Sequence, residues 1–275
     1  MTEANATSSP GDARGWENAK TVAGIVFREA MRKQEGVAVA LIAGVVLCML
    51  IATSAAGRPE VTRVATELCL AMIWVVTTAL SLGLAARQLP NGLQKRTLPL
   101  LLSKPISRTE YLRGLAIGCG ITNAAALLVC YPAFGVGLLT TGGSHWMGLV
   151  QGLVLHWCAL TLFSCLALAL SIWRMPTGLN VGLCLLVGLV MLLAARPLHD
   201  GITALAGSSI ESPLTVIFYL LPHFELLDAR ELVTGGRAAA SPGIFLATLA
   251  YAACACAWVL KLAEWQFNRQ PLPAE

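Results

Sequence analysis

Apolar residues fall along this chain in six long runs: Val37–Ala56, Leu68–Ala86, Leu115–Leu139, Met147–Trp173, Leu179–Ala195 and Ile244–Leu262. Crossing a hydrocarbon core of about 30 Å takes roughly 20 residues of apolar helix, because lipid offers no partner to an unpaired backbone group. The pattern predicts an all-α membrane protein with six transmembrane helices. The competing reading, six buried core helices of a soluble protein, leaves almost nothing polar to cover them.

Three pieces between the runs carry patterns of their own. In Thr21–Lys33, Val22, Ala23, Val26, Phe27, Ala30 and Met31 fill one half of a helical wheel, with Ile25, Arg28, Glu29 and Arg32 opposite. That is an amphipathic helix at the membrane interface, or equally a plain extension of span one. Between spans five and six, Arg196–Pro242 contains LTVIFYLLPHFELL, too short to cross and bracketed by Pro213 and Pro222. It predicts one or two short helices dipping into the outer leaflet, a re-entrant segment before the last span. The third piece is the loop Leu93–Gly114, LQKRTLPLLLSKPISRTEYLRG, a short apolar block wrapped in basic residues.

Composition agrees with lipid. Of 275 residues, 56% are hydrophobic and 12% charged, with a mean hydropathy of +0.70; a soluble domain carries about 25% charged residues. Residues 1–20 are polar and rich in Gly, Pro and Ser, which predicts a disordered tail without the apolar core of a signal peptide. Span one then serves as the targeting signal. The nine cysteines all fall within the spans, no CxxC pair occurs, and packing is the plain reading. No metal site is expected.

Charge sets the orientation. With the N-terminus in the cytoplasm, 14 of the 19 Lys and Arg lie inside and 5 outside, while the acids divide eight to seven. Both termini are therefore expected in the cytoplasm of a multi-pass protein in a bacterial-type inner membrane.

Within the loop, Ser107-Arg108-Thr109-Glu110 fits a capping box, and Ile106 with Tyr111 can form a hydrophobic staple. Span three thus starts at Ser107, and Pro105 stops what precedes it. Thr97 can cap a short helix with Pro99 in its first turn and Leu98, Leu100, Leu101 and Leu102 as its body. Leaving these leucines in water forgoes on the order of 6–12 kcal/mol of burial. They bury either on the membrane surface or in a partner protein, with Arg96 and Arg108 at a solvated rim.

The run RTLPLLLSKPISRTEYLRG, Arg96–Gly114, resembles the cytoplasmic loop of type-2 ATP-binding-cassette exporter permeases. Tyr219–Asp228 resembles the short outer segment before the last span of that family, and the order of elements from Ala19 to Asn268 is similar. The chain departs from the family pattern where Gly92 and Gln94 replace acids and where Leu115, not Lys, follows Gly114. The resemblance implies a permease domain over residues 21–268 with a cytoplasmic tail at 269–275. It makes Arg96, Thr97, Leu98, Leu100, Leu101, Leu102, Pro105, Ser107 and Arg108 the coupling helix and its flanks, contacting an ATPase. No GxxxxGK[ST] motif occurs here, so ATP and Mg would be bound by a separate cytoplasmic ATPase subunit. A second permease copy or a sister permease would complete the assembly in the bilayer; no nucleic-acid partner and no cofactor of the chain's own are implied.

Polar groups inside lipid are costly and mark either interhelical hydrogen bonds or a route. His156, with Gln151 above it, and Asn123 are candidates to line a substrate route, against the alternative of structural hydrogen bonds. Gly114-x-x-x-Gly118 and Gly178-x-x-x-Gly182 permit close helix approach. Two other function classes stay open: an intramembrane enzyme or maturation factor using His156, Glu67 or the outer acids, and a non-transporting anchor for a partner protein.

Overall fold

The computed structural model describes residues 10–33, 35–94, 106–140, 146–173, 175–204, 223–228, 230–234 and 239–270. The elements among them are helical: α1 (Pro10–Arg32), α2 (Glu35–Ala55), α3 (Pro59–Gln94), α4 (Arg108–Thr140), α5 (Trp146–Ser171), α6 (Thr177–Ala204), a 3-10 turn (Phe224–Leu227), α7 (Arg230–Val233) and α8 (Pro242–Arg269). Five helices are long and apolar enough to cross a membrane: α2, α3, α4, α5 and α8. The shortest, α2, has 21 residues, about 32 Å at 1.5 Å per residue. Its fit to the hydrocarbon thickness is close. The fifth predicted span corresponds to α6, whose apolar part is Thr177–Met191.

The outer surface is what lipid requires. Val37, Leu41 and Val45 on α2, Leu128 and Val136 on α4, and Ile244 and Leu246 on α8 are all exposed. Only Val39, Ala43, Val46 and Leu50 of α2 are buried. Apolar surface of this extent is a liability in water and neutral in a bilayer.

Helix boundaries differ from expectation in two places. The helix of α1 begins at Pro10, so the second half of the expected disordered tail is helical. Proline suits a first helical turn, where its missing N–H is no loss, and Ala19 continues the buried stripe of Val22, Ala23, Val26 and Ala30. Helix α3 runs on past Ala86 to Gln94 with Pro90 inside it. Proline cannot donate to the carbonyl four residues back, and the Ser171 hydroxyl of α5 donates to that Ala86 carbonyl instead (3.1 Å).

Two ends of the bundle are tied by different contacts. At one, Glu35 at the start of α2 pairs with Arg87 of α3, and the start of α4 bonds to α1 and to the end of α8. At the other, the Ser54 hydroxyl of α2 donates to the last carbonyl of α4, Thr140, and Gly57 (φ +67°) makes the turn from α2 to α3. There Gln151 of α5 pairs with the Ala240 backbone through both halves of its amide, each bond 2.9 Å. The basic residues Lys20, Arg87, Arg108, Arg113, Lys261 and Arg269 belong to helix segments meeting at the first end.

Between α5, α6 and α8 sits the 3-10 turn. Phe224 stacks on Phe163 of α5 with ring centroids 4.1 Å apart, and Leu227 is fully buried. The His223 backbone N–H donates to the Tyr251 hydroxyl of α8 (2.7 Å). The preceding residues 205–222, which hold most of the expected re-entrant segment, lie outside the described residues.

Candidate functional site

The predicted coupling loop meets the described structure at its exit. Arg96, Thr97, Leu98, Leu100, Leu101, Leu102 and Pro105 lie outside the described residues; Ser107 and Arg108 lie within them. The capping box is present as read. Ser107 Oγ accepts from the Glu110 N–H (3.2 Å), and the Glu110 carboxylate accepts from the Ser107 N–H (3.1 Å). Ile106 and Tyr111 join one apolar cluster, consistent with the staple.

Three side chains fasten this helix start to the rest of the molecule. Glu110 also accepts from Asn18 Nδ2 of α1 (3.0 Å). Arg113 donates to both oxygens of Glu264 in α8 (2.6 and 3.3 Å), which accepts from Lys261 as well (3.0 Å). Arg108 differs from expectation. Instead of standing at a solvated rim, its Nη1 donates to the carbonyls of Phe267 (3.0 Å) and Gln270 (2.8 Å). Those are carbonyls left open at the C-terminus of α8, where a cation is favoured by the helix dipole as well.

One step along α4, Gly114 and Gly118 let α1 lie against it. A Cβ on Gly114 would meet Val22 Cβ at 2.6 Å, and one on Gly118 would meet Val26 Cβ at 2.7 Å. The first predicted close approach is therefore used within the chain. Gly178 and Gly182 have nothing within 4 Å among the described residues.

Deeper in the bundle, His156 and Asn123 belong to neighbouring hydrogen-bond networks. His156 is fully buried and stacks flat on Trp74, with centroids 4.1 Å apart. Thr77 Oγ1 lies 3.2 Å from its Nε2 and already donates to the Ile73 carbonyl (2.6 Å), so it accepts from Nε2–H. Nδ1 lies 3.2 Å from the Tyr131 hydroxyl, which also donates to the Gly152 carbonyl (3.3 Å). Asn123 donates to Ser164 Oγ (3.0 Å), which also meets Ser81 Oγ (2.9 Å). A third network joins Asn180 of α6 to the Ala167 carbonyl (2.9 Å) and to Ser171 (2.8 Å).

His156 is thus an interhelical hub behind Thr77, while Asn123 lines a cavity of about 270 Å³ beside Thr77, Ser81 and Thr122. His156 and Asn123 stand out in the sequence, whereas their partners Thr77, Ser81 and Ser164 do not. The available signal was periodic: Thr77 and Ser81 are one helical turn apart, as Ser164 and Ser171 are two.

Just after the 3-10 turn, Asp228 accepts from Arg230 Nη2 (2.7 Å), Nε (2.9 Å) and N–H (3.2 Å). Burial pushes the Asp228 carboxyl up, but these bonds and the guanidinium charge together outweigh it and hold it below its ordinary value.

Compared with models of known protein families and with curated proteins, the chain matches none.

Proposed function

We propose that the chain is the membrane-spanning permease subunit of an ATP-binding-cassette exporter, with six spans, powered by a separate cytoplasmic ATPase. The observation that carries this reading is the fastening of the loop's exit. Residues 106–113 combine a loop sequence resembling a coupling element with bonds to α1 through Glu110 and to α8 through Arg108 and Arg113. In this reading, a push on the loop would pass through these bonds to three helices. That is what transmission from an ATPase requires, and what a plain anchor does not need.

The six-span layout is supported by the five long apolar helices plus α6. The re-entrant reading is supported by the packing of Phe224 and Leu227 between α5, α6 and α8. The enzyme reading draws no support from His156: its two ring nitrogens are taken by Thr77 and Tyr131. Two copies of this chain, or this chain and a sister permease, enclose the pathway in the proposed assembly.

Purification of the tagged full-length protein from its own membranes tests the reading. The expected result is stoichiometric recovery of a P-loop subunit, with ATP hydrolysis dependent on both chains. A purified protein carrying no P-loop partner, at native expression and in mild detergent, contradicts it.

A further inference from the structure

The cavity that Asn123 lines owes its room to small side chains. Ala30 of α1, Gly36 and Ala40 of α2, and Ala125 and Ala126 of α4 all face it, opposite Leu80 and Leu84 of α3. Met31, Ala40 and Val129 line it and are also exposed, so the chamber opens on the outer surface of the bundle. An engineered apolar cavity of about 150 Å³ holds benzene. On that scale about 270 Å³ takes a guest of roughly ten non-hydrogen atoms.

The polar groups in the chamber select the chemistry of the guest. Its one charged lining residue is Glu35, whose carboxylate pairs with Arg87 of α3. An anion would meet that carboxylate, and a cation would have to displace the guanidinium. A neutral guest meets neither cost. The hydroxyls have already spent their protons. Thr77 donates to the Ile73 carbonyl (2.6 Å) and Thr122 to the Gly118 carbonyl (2.9 Å). Ser81 points to α5, with the Leu160 carbonyl at 3.3 Å and Ser164 Oγ at 2.9 Å.

Asn123 differs. It is 3% exposed, and its Nδ2 donates to Ser164 Oγ (3.0 Å), whose own proton goes to the Leu160 carbonyl (2.9 Å). With Nδ2 held by α5, Oδ1 is the amide atom left to the chamber, and it accepts no hydrogen bond from any described residue. A buried amide oxygen in apolar surroundings is costly without a donor. A guest hydroxyl can donate to it; an ether or a ketone cannot.

We propose that this cavity binds a neutral, single-chain alcohol of about ten non-hydrogen atoms, entering from the bilayer, with its hydroxyl donating to Asn123 Oδ1. The site stands apart from the permease reading, since it needs no ATPase.

The test uses the full-length protein in nanodiscs of zwitterionic lipid, photolabelled with decanol bearing a diazirine on its chain and mapped by mass spectrometry. Labelling is expected at residues 27–40, 77–84 and 122–129, and it should saturate. Decanol and its isomer methyl nonyl ether then compete at equal mole fraction in the bilayer. The alcohol should compete about tenfold better, the worth of one hydrogen bond. Asn123→Leu should equalise the two, and Ala126→Phe, which fills the chamber, should remove the saturable labelling. Equal competition by the two isomers in the wild-type protein overturns the hydroxyl assignment, with no variant needing to fold. Better competition by decylammonium than by decanol would make Glu35 the anchor and overturn the neutral guest. Competition by dioctanoylglycerol equal to that by decanol overturns the cavity-sized guest. Unsaturable labelling spread over the exposed apolar faces overturns the site itself.

Discussion

At the scale of single residues, His156 carries the clearest consequence. With Nε2 bonded to Thr77 and Nδ1 to Tyr131, the ring is a structural joint among α3, α4 and α5. His156→Ala should empty its place beside Trp74 and remove its bonds to Thr77 and Tyr131, lowering stability by about 2–4 kcal/mol. Thermal unfolding of the purified protein reads this; lost transport with an unchanged melting temperature would put His156 on the route instead. Asp228 gives a pH prediction. Arg230 holds the folded carboxylate below its unfolded value of about 3.9, so the pair stabilises above that pH and the contribution fades as pH falls through the folded value. Asp228→Asn should therefore flatten the acid limb of a stability–pH curve, and an unaltered limb would contradict the pairing. His156 was legible in the sequence because a histidine amid leucines stands out. Thr77, Ser81 and Ser164 were legible only as a helical period, because a hydroxyl in an apolar helix can always bond its own backbone and so announces no partner.

At the scale of elements, the apolar stripe of α1 is legible as a period, and the structure places it on Gly114 and Gly118. Where α1 starts was not legible, since polar residues on an outward face look like a tail until the helix beneath them is known. The length of α3 was hidden for a different reason: Pro90 reads as a stop, and only Ser171, arriving from α5, takes up the carbonyl it frees. The capping box at Ser107 and Glu110, by contrast, is a local pattern and needs no tertiary context. Gly118→Leu should force α1 away from α4 at a cost of about 1–3 kcal/mol, seen as faster amide exchange in α1. Gly178→Leu, at a position with nothing within 4 Å among the described residues, is the matched control and should leave exchange in α1 unchanged. Equal protection of α1 in wild type and Gly118→Leu would contradict the close approach.

At the scale of the whole molecule, five helices long and apolar enough to cross a membrane agree with a multi-pass protein, and the six apolar runs with the 14-to-5 division of basic residues predict six spans with both termini inside. The structure adds that the segments bearing Lys20, Arg87, Arg108, Arg113 and Lys261 meet at one end through Asn18–Glu110, Glu35–Arg87 and Arg113–Glu264. Single cysteines at 95–113 should accordingly label from the cytoplasm and those at 200–237 from outside; labelling of both from one side would defeat six spans. The depth reached by Phe224 was not legible, because a short apolar run flanked by prolines reads alike whether it floats at the interface or wedges between helices.

The most direct test of the coupling account is the double variant Leu100→Ser/Leu101→Ser, measured for recovery of the ATPase subunit and for its ATP hydrolysis. Each buried leucine is worth about 1.5–3 kcal/mol, so losing two should weaken docking by roughly 3–6 kcal/mol, a hundredfold or more in affinity. The account predicts an inserted, folded permease that no longer retains its ATPase. Full ATPase recovery with unchanged hydrolysis would mean that the leucines pack on the membrane and that this loop does not couple the two proteins.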